Sequence, residues 1–195
     1  MRNVFIIHGS NGSPEENWFP WLKKELERLD NRVFVPRFPI PVNKKEGHKL
    51  NLWFNKFNEY KQYINNKTII VAHSRGCTFA YHLLPKLNIK IDSLFLVGPF
   101  IDYFRWRPDY YEEFDSFQAK PYLWNIIKKL ANHIEVFQST NDVIPVAEGQ
   151  LIANSLDAQI HIVKNAGHFN VASDKKFVKF PLLLKQIKKS IENNS

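Results

Sequence analysis

The sequence predicts an α/β protein built as a three-layer sandwich, with helices on both faces of a mostly parallel, six-stranded sheet. Short apolar runs rich in β-branched residues alternate along the chain with segments whose apolar residues recur every three or four positions. This alternation is typical of parallel strands joined by helices. The runs at 4–7 and 68–72 are almost continuously apolar, as expected for strands covered on both faces. Because such crossovers are right-handed, the loops that follow the strands should gather at one edge of the sheet.

The individual elements follow from the spacing of the apolar residues. Strands are predicted at 4–7, 33–35, 68–72, 93–97, 134–138 and 159–163. Helices are predicted at 18–29, 50–64, 76–84, 121–131, 146–156 and 177–191. The stretch 100–119 is dense in aromatic residues and has no clear period. The length of 195 residues suits a single domain over residues 1–195.

Composition and charge exclude several classes of protein. The net charge is +8, but the lysines are scattered along the chain, which favours a solvated surface over a nucleic-acid site. The apolar run at 4–7 is too short for a signal peptide, and no stretch is long enough to span a membrane. Cys77 is the one cysteine, so no internal disulfide can form. We therefore expect a cytoplasmic protein with neither nucleic-acid nor membrane partners.

The most informative stretch surrounds Ser74. It lies between the strand at 68–72 and the helix that begins at Gly76, with small residues, Ala72 and Gly76, two positions to either side. Such a sharp strand-to-helix turn resembles the nucleophile elbow of α/β-hydrolases, in which a serine hydroxyl stands above the sheet. The alternative is a serine in an ordinary loop, where serine is common as a helix N-cap.

Two further residues could complete a site with Ser74, because they also follow predicted strands. Asp142 comes after the fifth strand and His168 after the sixth, which is the chain order of this architecture. A serine hydroxyl needs a base to remove its proton, and the base needs a partner that fixes its tautomer. His168 is predicted to be that base and Asp142 its partner. The alternatives are an aspartate in an Asx-turn and a histidine that caps a loop.

The rest of the predicted site is an oxyanion hole and an acyl pocket. Backbone N–H groups of Arg75 and of Ser10 or Asn11 are predicted to bind the oxyanion. The aromatic stretch after the fourth strand would line or cover the acyl pocket through Phe100, Tyr103, Phe104 and Trp106, or it is ordinary packing. We expect no metal ion, because His, Cys, Asp and Glu show no ligand spacing. We also expect no cofactor, since no dinucleotide or P-loop motif is present.

The remaining histidines and the cysteine are assigned structural roles. His73 is expected to support the turn, and His161 to be a satisfied histidine on a sheet face. Three others are expected in loops or on helix surfaces: His48, His82 and His133. Cys77 should point into the packing, although it lies at a helix start where a thiolate is favoured.

Four segments together resemble a known family. They are 8–13 (HGSNGS), 18–24 (WFPWLKK), 72–77 (AHSRGC) and 167–170 (GHFN), with Phe180-Pro181 near the end. They look like the small serine hydrolases typified by retinoblastoma-binding serine hydrolase and its YdeN-like bacterial relatives. The resemblance implies a minimal α/β-hydrolase fold without a large cap domain, activity on small esters, and a triad of Ser74, Asp142 and His168.

The sequence therefore predicts a serine hydrolase that cleaves a small ester, thioester or amide through an acyl-enzyme on Ser74, as a monomer or weak homodimer. One alternative is a binding protein on the same fold that has lost its chemistry. Another is a flavodoxin-like or nucleotide-binding domain, which shares the layered pattern but would need a phosphate-binding motif that this chain lacks.

Overall fold

Six parallel strands form one sheet at the centre of the protein. The computed structural model describes residues 1–43, 46–106, 108, 115–117 and 121–193. The strands are β1 (Asn3–Ile7), β2 (Arg32–Phe34), β3 (Ile69–His73), β4 (Ile91–Val97), β5 (Ala131–Ser139) and β6 (Gln159–Val163). Their order across the sheet is β2-β1-β3-β4-β5-β6, and each neighbouring pair is parallel. The predicted fold class is confirmed, with the sheet wholly parallel.

Helices connect the strands and cover both faces of the sheet. They are α1 (Phe19–Glu27), α2 (Leu50–Asn58), α3 (Arg75–Leu87), α4 (Tyr103–Trp106), α5 (Trp124–Lys129), α6 (Val146–Leu156) and α7 (Pro181–Asn193). Short 3₁₀ turns occupy Lys61–Tyr63 and Lys175–Val178. Within the described residues, no helix has both the length and the apolar character needed to cross a membrane.

Several predicted helix ends were wrong, including those of the helices predicted at 50–64, 76–84, 121–131 and 177–191. The predicted helix at 50–64 stops at Asn58 and is followed by the 3₁₀ turn, because apolar spacings of three and four fit both structures. Helix α3 continues through Pro85, which lies in its last turn and therefore removes one helical hydrogen bond rather than a series. Asn88 ends the helix in the left-handed conformation (φ 50°), and its N–H donates to the Leu84 carbonyl at 3.0 Å.

The core consists of two apolar clusters, one on each face of the sheet. On one face, residues of α2, α3, α5 and α6 pack against the sheet, with Trp53, Phe79 and Ile152 fully buried. On the other face, α1 and α7 contribute Leu22 and Leu183, which are also fully buried. Burial of apolar surface on both faces is the main stabilising contribution to such a layered domain.

The strand register aligns the carboxyl ends of the strands along one edge. Ile7 pairs with Ala72, His73 with Val97, and Ser139 with Val163. The loops after β1, β3, β4, β5 and β6 therefore leave the sheet side by side. Every sequence-predicted catalytic residue lies in one of these loops, so the fold itself brings distant parts of the chain together.

Candidate active site

Ser74 occupies a strained turn between β3 and α3. Its backbone has φ 56° and ψ −123°, a region that residues with a Cβ rarely adopt. The strain is held by neighbours: the Ser74 N–H donates to the Val97 carbonyl at 2.9 Å, and the Cys77 N–H donates to the Ser74 carbonyl at 2.8 Å. A Cβ on Gly76 would lie 2.6 Å from the Ile7 carbonyl oxygen, so only glycine allows α3 to start this close to β1.

Ser74, His168 and Asp142 form a continuous hydrogen-bonded chain. The Ser74 hydroxyl lies 2.8 Å from Nε2 of His168, and Nδ1 of His168 lies 2.8 Å from Oδ2 of Asp142. An ionised Asp142 can only accept, so the His168 proton belongs on Nδ1 and the lone pair of Nε2 faces the serine hydroxyl. The Asp142 side chain is fully buried, while the His168 side chain keeps 16% of its surface exposed. The three residues predicted from their order are thus brought into contact.

The loop that carries Asp142 also holds the loop that carries His168. Oδ1 of Asn141 accepts from the Gly167 N–H at 2.7 Å, and Oγ of Ser139 accepts from the Ala166 N–H at 2.9 Å. These two side chains hold the residues that directly precede His168 through two hydrogen bonds to backbone N–H groups. Sequence reasoning assigned no role to either residue. The signal was present as a polar run between a strand and the acidic residue, but nothing in a single sequence showed what it binds.

His73 and Trp18 fix the backbone of the histidine loop from the other side. Nε2–H of His73 donates to the His168 carbonyl at 2.8 Å, and the indole N–H of Trp18 donates to the Phe169 carbonyl at 3.0 Å. Burial, and to a smaller extent the neighbouring His168, lower the pKa of His73 from 6.5 to about 3. His73 is therefore neutral, in keeping with its expected structural role.

Gly98 is a site residue that sequence reasoning did not identify. It follows β4 with φ +57°, and an added Cβ would lie 3.2 Å from Cε1 and 3.3 Å from Nδ1 of His168. A side chain at this position would press on the imidazole from the face next to Asp142. The sequence showed Gly98 only as the residue that ends a strand.

The loop after β1 lies directly against the serine. Nδ1–H of the buried His8 donates to the Gly9 carbonyl at 2.8 Å, and its Nε2 accepts from the Phe38 N–H at 3.0 Å. Burial is the main reason why the pKa of His8 is lowered, which favours the neutral ring that these two bonds require. A Cβ on Gly9 would lie 2.8 Å from Cβ of Ser74, so the loop backbone touches the elbow.

A cavity of about 340 Å³ opens above Ser74. Its lining includes the predicted oxyanion residues Ser10, Asn11 and Arg75, together with Ser74 and His168. The position of these residues around one cavity is compatible with the predicted roles of their N–H groups, which stay a prediction.

A serine hydrolase family model matches residues 4–189, nearly the whole chain. The chain belongs to the serine hydrolase family. It is 28% identical over 185 residues to the putative hydrolase YdeN of Bacillus subtilis, and the matched residues cover 93% of this chain and 92% of that one. It is also 28% identical over 168 residues to the serine hydrolase RBBP9 of Rattus norvegicus, covering 84% of this chain and 85% of that one. Membership of the family supports hydrolase activity.

The solved structures agree with this family assignment. The crystal structure of the ydeN gene product from B. subtilis aligns with a TM-score of 0.86 at 25% identity, over 98% of this chain and 100% of that one. Est1E from Butyrivibrio proteoclasticus, solved with ferulic acid bound, aligns with a TM-score of 0.75 at 14% identity, over 99% of this chain and 89% of that one. The second likeness shows the fold alone.

In this member of the serine hydrolase family, two residues of the predicted acyl pocket, Phe100 and Trp106, are absent from the described lining of the cavity that contains Ser74. Within the described residues, that cavity is lined by 9–12, 16–17, 19, 73–75, 168 and 170–172. Phe100 is buried and Trp106 half-buried, and neither is part of this lining. The side chains of Tyr103 and Phe104 lie outside what the structure describes. A role for the 100–106 segment in acyl binding stays a prediction.

Four further histidines are not part of the described lining of this cavity in this serine hydrolase. His133 and His161 each donate from Nε2 to the buried Glu135 at 2.6 Å; although burial raises the pKa of this carboxyl, the two bonds outweigh it and lower the pKa to about 2. His48 lies in a loop, one of its two expected positions, and is buried there because it packs against Trp53 and Phe117. His82 donates to the Phe117 carbonyl at 2.9 Å.

The described residues contain neither a metal-binding cluster nor an exposed thiol. Within the described part of the chain, no group of three or more His, Cys, Asp or Glu side chains is arranged to hold a metal ion. Cys77 is fully buried, its Sγ lies 3.3 Å from the Ala72 carbonyl oxygen, and burial raises the pKa of its thiol. The packing role expected for Cys77 fits this environment.

Proposed function

We propose that this protein is a carboxylesterase-like serine hydrolase that cleaves small carboxylic esters, and by the same chemistry thioesters or amides, through an acyl-enzyme on Ser74. The observation that carries the proposal is the pair of 2.8 Å contacts that join Ser74, His168 and Asp142 in one line. A nucleophile within hydrogen-bond reach of a base, with the base oriented by a third group, is the arrangement required for nucleophilic catalysis.

In the first half of the reaction, Oγ of Ser74 attacks the substrate carbonyl carbon while Nε2 of His168 takes the hydroxyl proton. The carbonyl π electrons move to oxygen and form an oxyanion. When the tetrahedral adduct collapses, the bond to the leaving group breaks and His168 returns the proton to the departing atom. Asp142 stays ionised throughout and stabilises the positively charged imidazole.

In the second half, water replaces the leaving group. His168 removes a proton from the water as it attacks the acyl carbonyl, and then delivers that proton to Oγ of Ser74. The products are a carboxylic acid and the free serine. The same two proton transfers thus serve both halves, which is why one imidazole is sufficient.

The oxyanion of both adducts would accept from the N–H of Arg75 and from the N–H of Ser10 or Asn11. Their presence around the cavity of Ser74 supports this assignment. The loss of one such donor typically reduces kcat by about 10²–10³-fold. A cavity of about 340 Å³ lies at the small end of the range for ligand pockets. Short acyl groups are therefore expected to be the better substrates.

A fluorophosphonate probe tests the proposal directly. The native protein should gain one adduct by intact mass, and peptide mapping should place it on Ser74. S74A should gain no adduct and should lose about 10⁶-fold in kcat on p-nitrophenyl esters, as loss of the nucleophile does in such enzymes. S155A, which changes a partly exposed serine on α6, provides the matched control and should react like the native protein.

A panel of p-nitrophenyl esters from acetate to decanoate then measures acyl preference, with kcat/KM expected to fall as the chain lengthens. An unreacted native protein would contradict the proposal and favour a binding protein that has kept the fold without the chemistry. An adduct that persists in S74A would contradict the assignment of Ser74 as the nucleophile.

A further inference from the structure

The side chain of Arg75 is completely enclosed by the protein. Arg75 directly follows Ser74 at the start of α3, and its side chain is 1% exposed. Arginine is among the residues least often buried, and its guanidinium is then expected to be paired and hydrogen-bonded. The proposed reaction uses the backbone N–H of this residue and leaves the side chain without a role.

The Arg75 guanidinium connects the loop after β1 with the segment after β4. Its Nε donates to Oγ of Ser10 at 2.6 Å, and its Nη1 donates to Oδ2 of Asp115 at 2.5 Å. The Asp115 side chain is also 1% exposed, and its Oδ1 accepts from the Phe117 N–H at 2.9 Å. The guanidinium carbon lies 5.3 Å from the centre of the Phe117 ring.

The far end of this connection is itself well held. The Ser116 N–H donates to the His48 carbonyl at 3.1 Å, and Oγ of Ser116 accepts from the Leu50 N–H at 2.8 Å. Phe117 is fully buried. Asp115 is therefore held in place by the two residues that follow it, and its ion pair with Arg75 connects this fixed segment to Ser10.

Ser10 belongs to a loop whose position has to be accurate. Gly9 is in contact with Ser74, and glycines at 9 and 12 give the loop little rigidity of its own. His8 fixes the Gly9 carbonyl on one side. An oxyanion donor acts only when it lies about 2.7–3.1 Å from the developing charge. A loop held at Gly9 alone could still rotate at the next residue.

We infer that Arg75 is a positioning residue. Its side chain anchors Ser10 to the buried Asp115 and so fixes the position of the backbone N–H groups in the loop after β1 that would bind the oxyanion. The inference rests on the proposed function. It concerns position rather than charge, because the guanidinium forms a neutral pair with Asp115 and the net field of the pair is small. A lysine would keep the charge but lose the rigid fork that makes both bonds at once.

Three variants and one control test the inference. S10A removes the acceptor for Nε and keeps the backbone N–H, R75K keeps the charge, and R75M removes it. The control is R2M, since Arg2 forms another largely buried pair with Asp92 (Nε–Oδ2 2.8 Å) at the start of β1 and β4, away from the site. Each variant is assayed, at a temperature where it is folded, for kcat and KM on p-nitrophenyl acetate. A trifluoromethyl ketone, whose adduct with a reactive serine carries an oxyanion, supplies the inhibition constant.

We expect kcat to fall roughly 10- to 100-fold in S10A, R75K and R75M, because a displacement of about 1 Å at a catalytic group costs up to that much. The inhibition constant should rise by the same factor while KM changes little, since the loop acts on the tetrahedral adduct rather than on the substrate. R2M should lower the unfolding temperature and leave kcat and inhibitor affinity at the native values. A purely structural role would affect all four proteins through stability alone.

Two results would overturn the inference. One is native kcat and inhibitor affinity in S10A, which does not disturb the ion pair and so is informative even if R75M fails to fold. The other is native activity in R75K together with a loss in R75M, which would assign the effect to charge. In both cases fluorophosphonate labelling of Ser74 in the native protein would leave the proposed function intact, whereas absent labelling would remove the function itself.

Discussion

The imidazole of His73 lies against that of His168, with ring centroids 5.1 Å apart, and its Nε2–H donates to the His168 backbone carbonyl at 2.8 Å. A buried neutral histidine thus supports the loop of the proposed general base. If His73 became protonated, two positively charged rings could stand in contact with little water between them. The arrangement therefore links the stability of the site to pH.

We expect the native protein to lose stability as the pH falls below about 6.5, in part through His73. The pKa of this residue is lowered from 6.5 to about 3 in the folded state, so between these values the unfolded chain binds more protons. Its contribution is fully present above pH 6.5 and declines as the pH falls towards 3. At pH 5 the loss from this one residue is about 2 kcal/mol.

Urea unfolding at pH 7 and pH 5 measures this effect, with H73Q as the comparison because its amide can still donate to the His168 carbonyl. The difference in unfolding free energy between the two pH values should be smaller in H73Q by about 2 kcal/mol. The same difference in both proteins would show that His73 is not held neutral.

Gly98→Ala should lower kcat through His168. The new Cβ would lie 3.2 Å from Cε1 of His168 and would push the ring away from the line between Ser74 and Asp142. We expect a fall of roughly 10-fold or more in kcat on p-nitrophenyl acetate. Because φ is positive at this position, alanine would be strained in the folded state, which should lower the unfolding free energy by roughly 1–2 kcal/mol.

N88A separates the two effects of the Gly98 substitution. Asn88 also has a positive φ, at the distant end of α3, so its replacement strains the backbone without a contact to His168. It should lower stability and leave kcat unchanged. Native activity in G98A would mean that the imidazole has room to move.

Asn141→Ala should lower kcat because it removes one of the two hydrogen bonds that join the loop of Asp142 to the loop of His168. Oδ1 of Asn141 accepts from the Gly167 N–H at 2.7 Å, and without that oxygen the turn before His168 loses a partly buried hydrogen bond worth about 1 kcal/mol. N141D keeps an acceptor oxygen at the same place and should recover part of the lost activity. Steady-state kinetics of both variants check this, and equal losses in the two would argue against a positioning role for the oxygen.

Cys77 should react with thiol reagents only when the protein opens. Its side chain is fully buried and the pKa of its thiol is raised by burial, so thiolate is scarce in the folded state. Labelling with a chromogenic disulfide should be slow in native buffer and complete in denaturing urea, with C77S as the blank. Rapid stoichiometric labelling of the native protein would contradict the packing role.

Much of the fold and the proposed catalytic residues could be predicted because they depend on local patterns. Residues 146–156 and 159–163 form the predicted helix and strand without shift. Ser74, Asp142 and His168 could be identified because each follows a strand, and parallel strands end at a common edge. Asn141, Gly98 and the Arg75 side chain could not, because their partners lie far away in the chain.

The sequence by itself determined the layered architecture, the chain order of the proposed nucleophile, acid and base, and the need for a small residue at position 76. These follow from periodicity and from close backbone approaches, which neighbouring residues encode. Only the tertiary structure decided that Arg75 turns into the protein towards Asp115 and that Ser74 opens into a cavity without Phe100. The direction of a long side chain is set by which partners the packed elements bring within reach, and that depends on the whole fold at once.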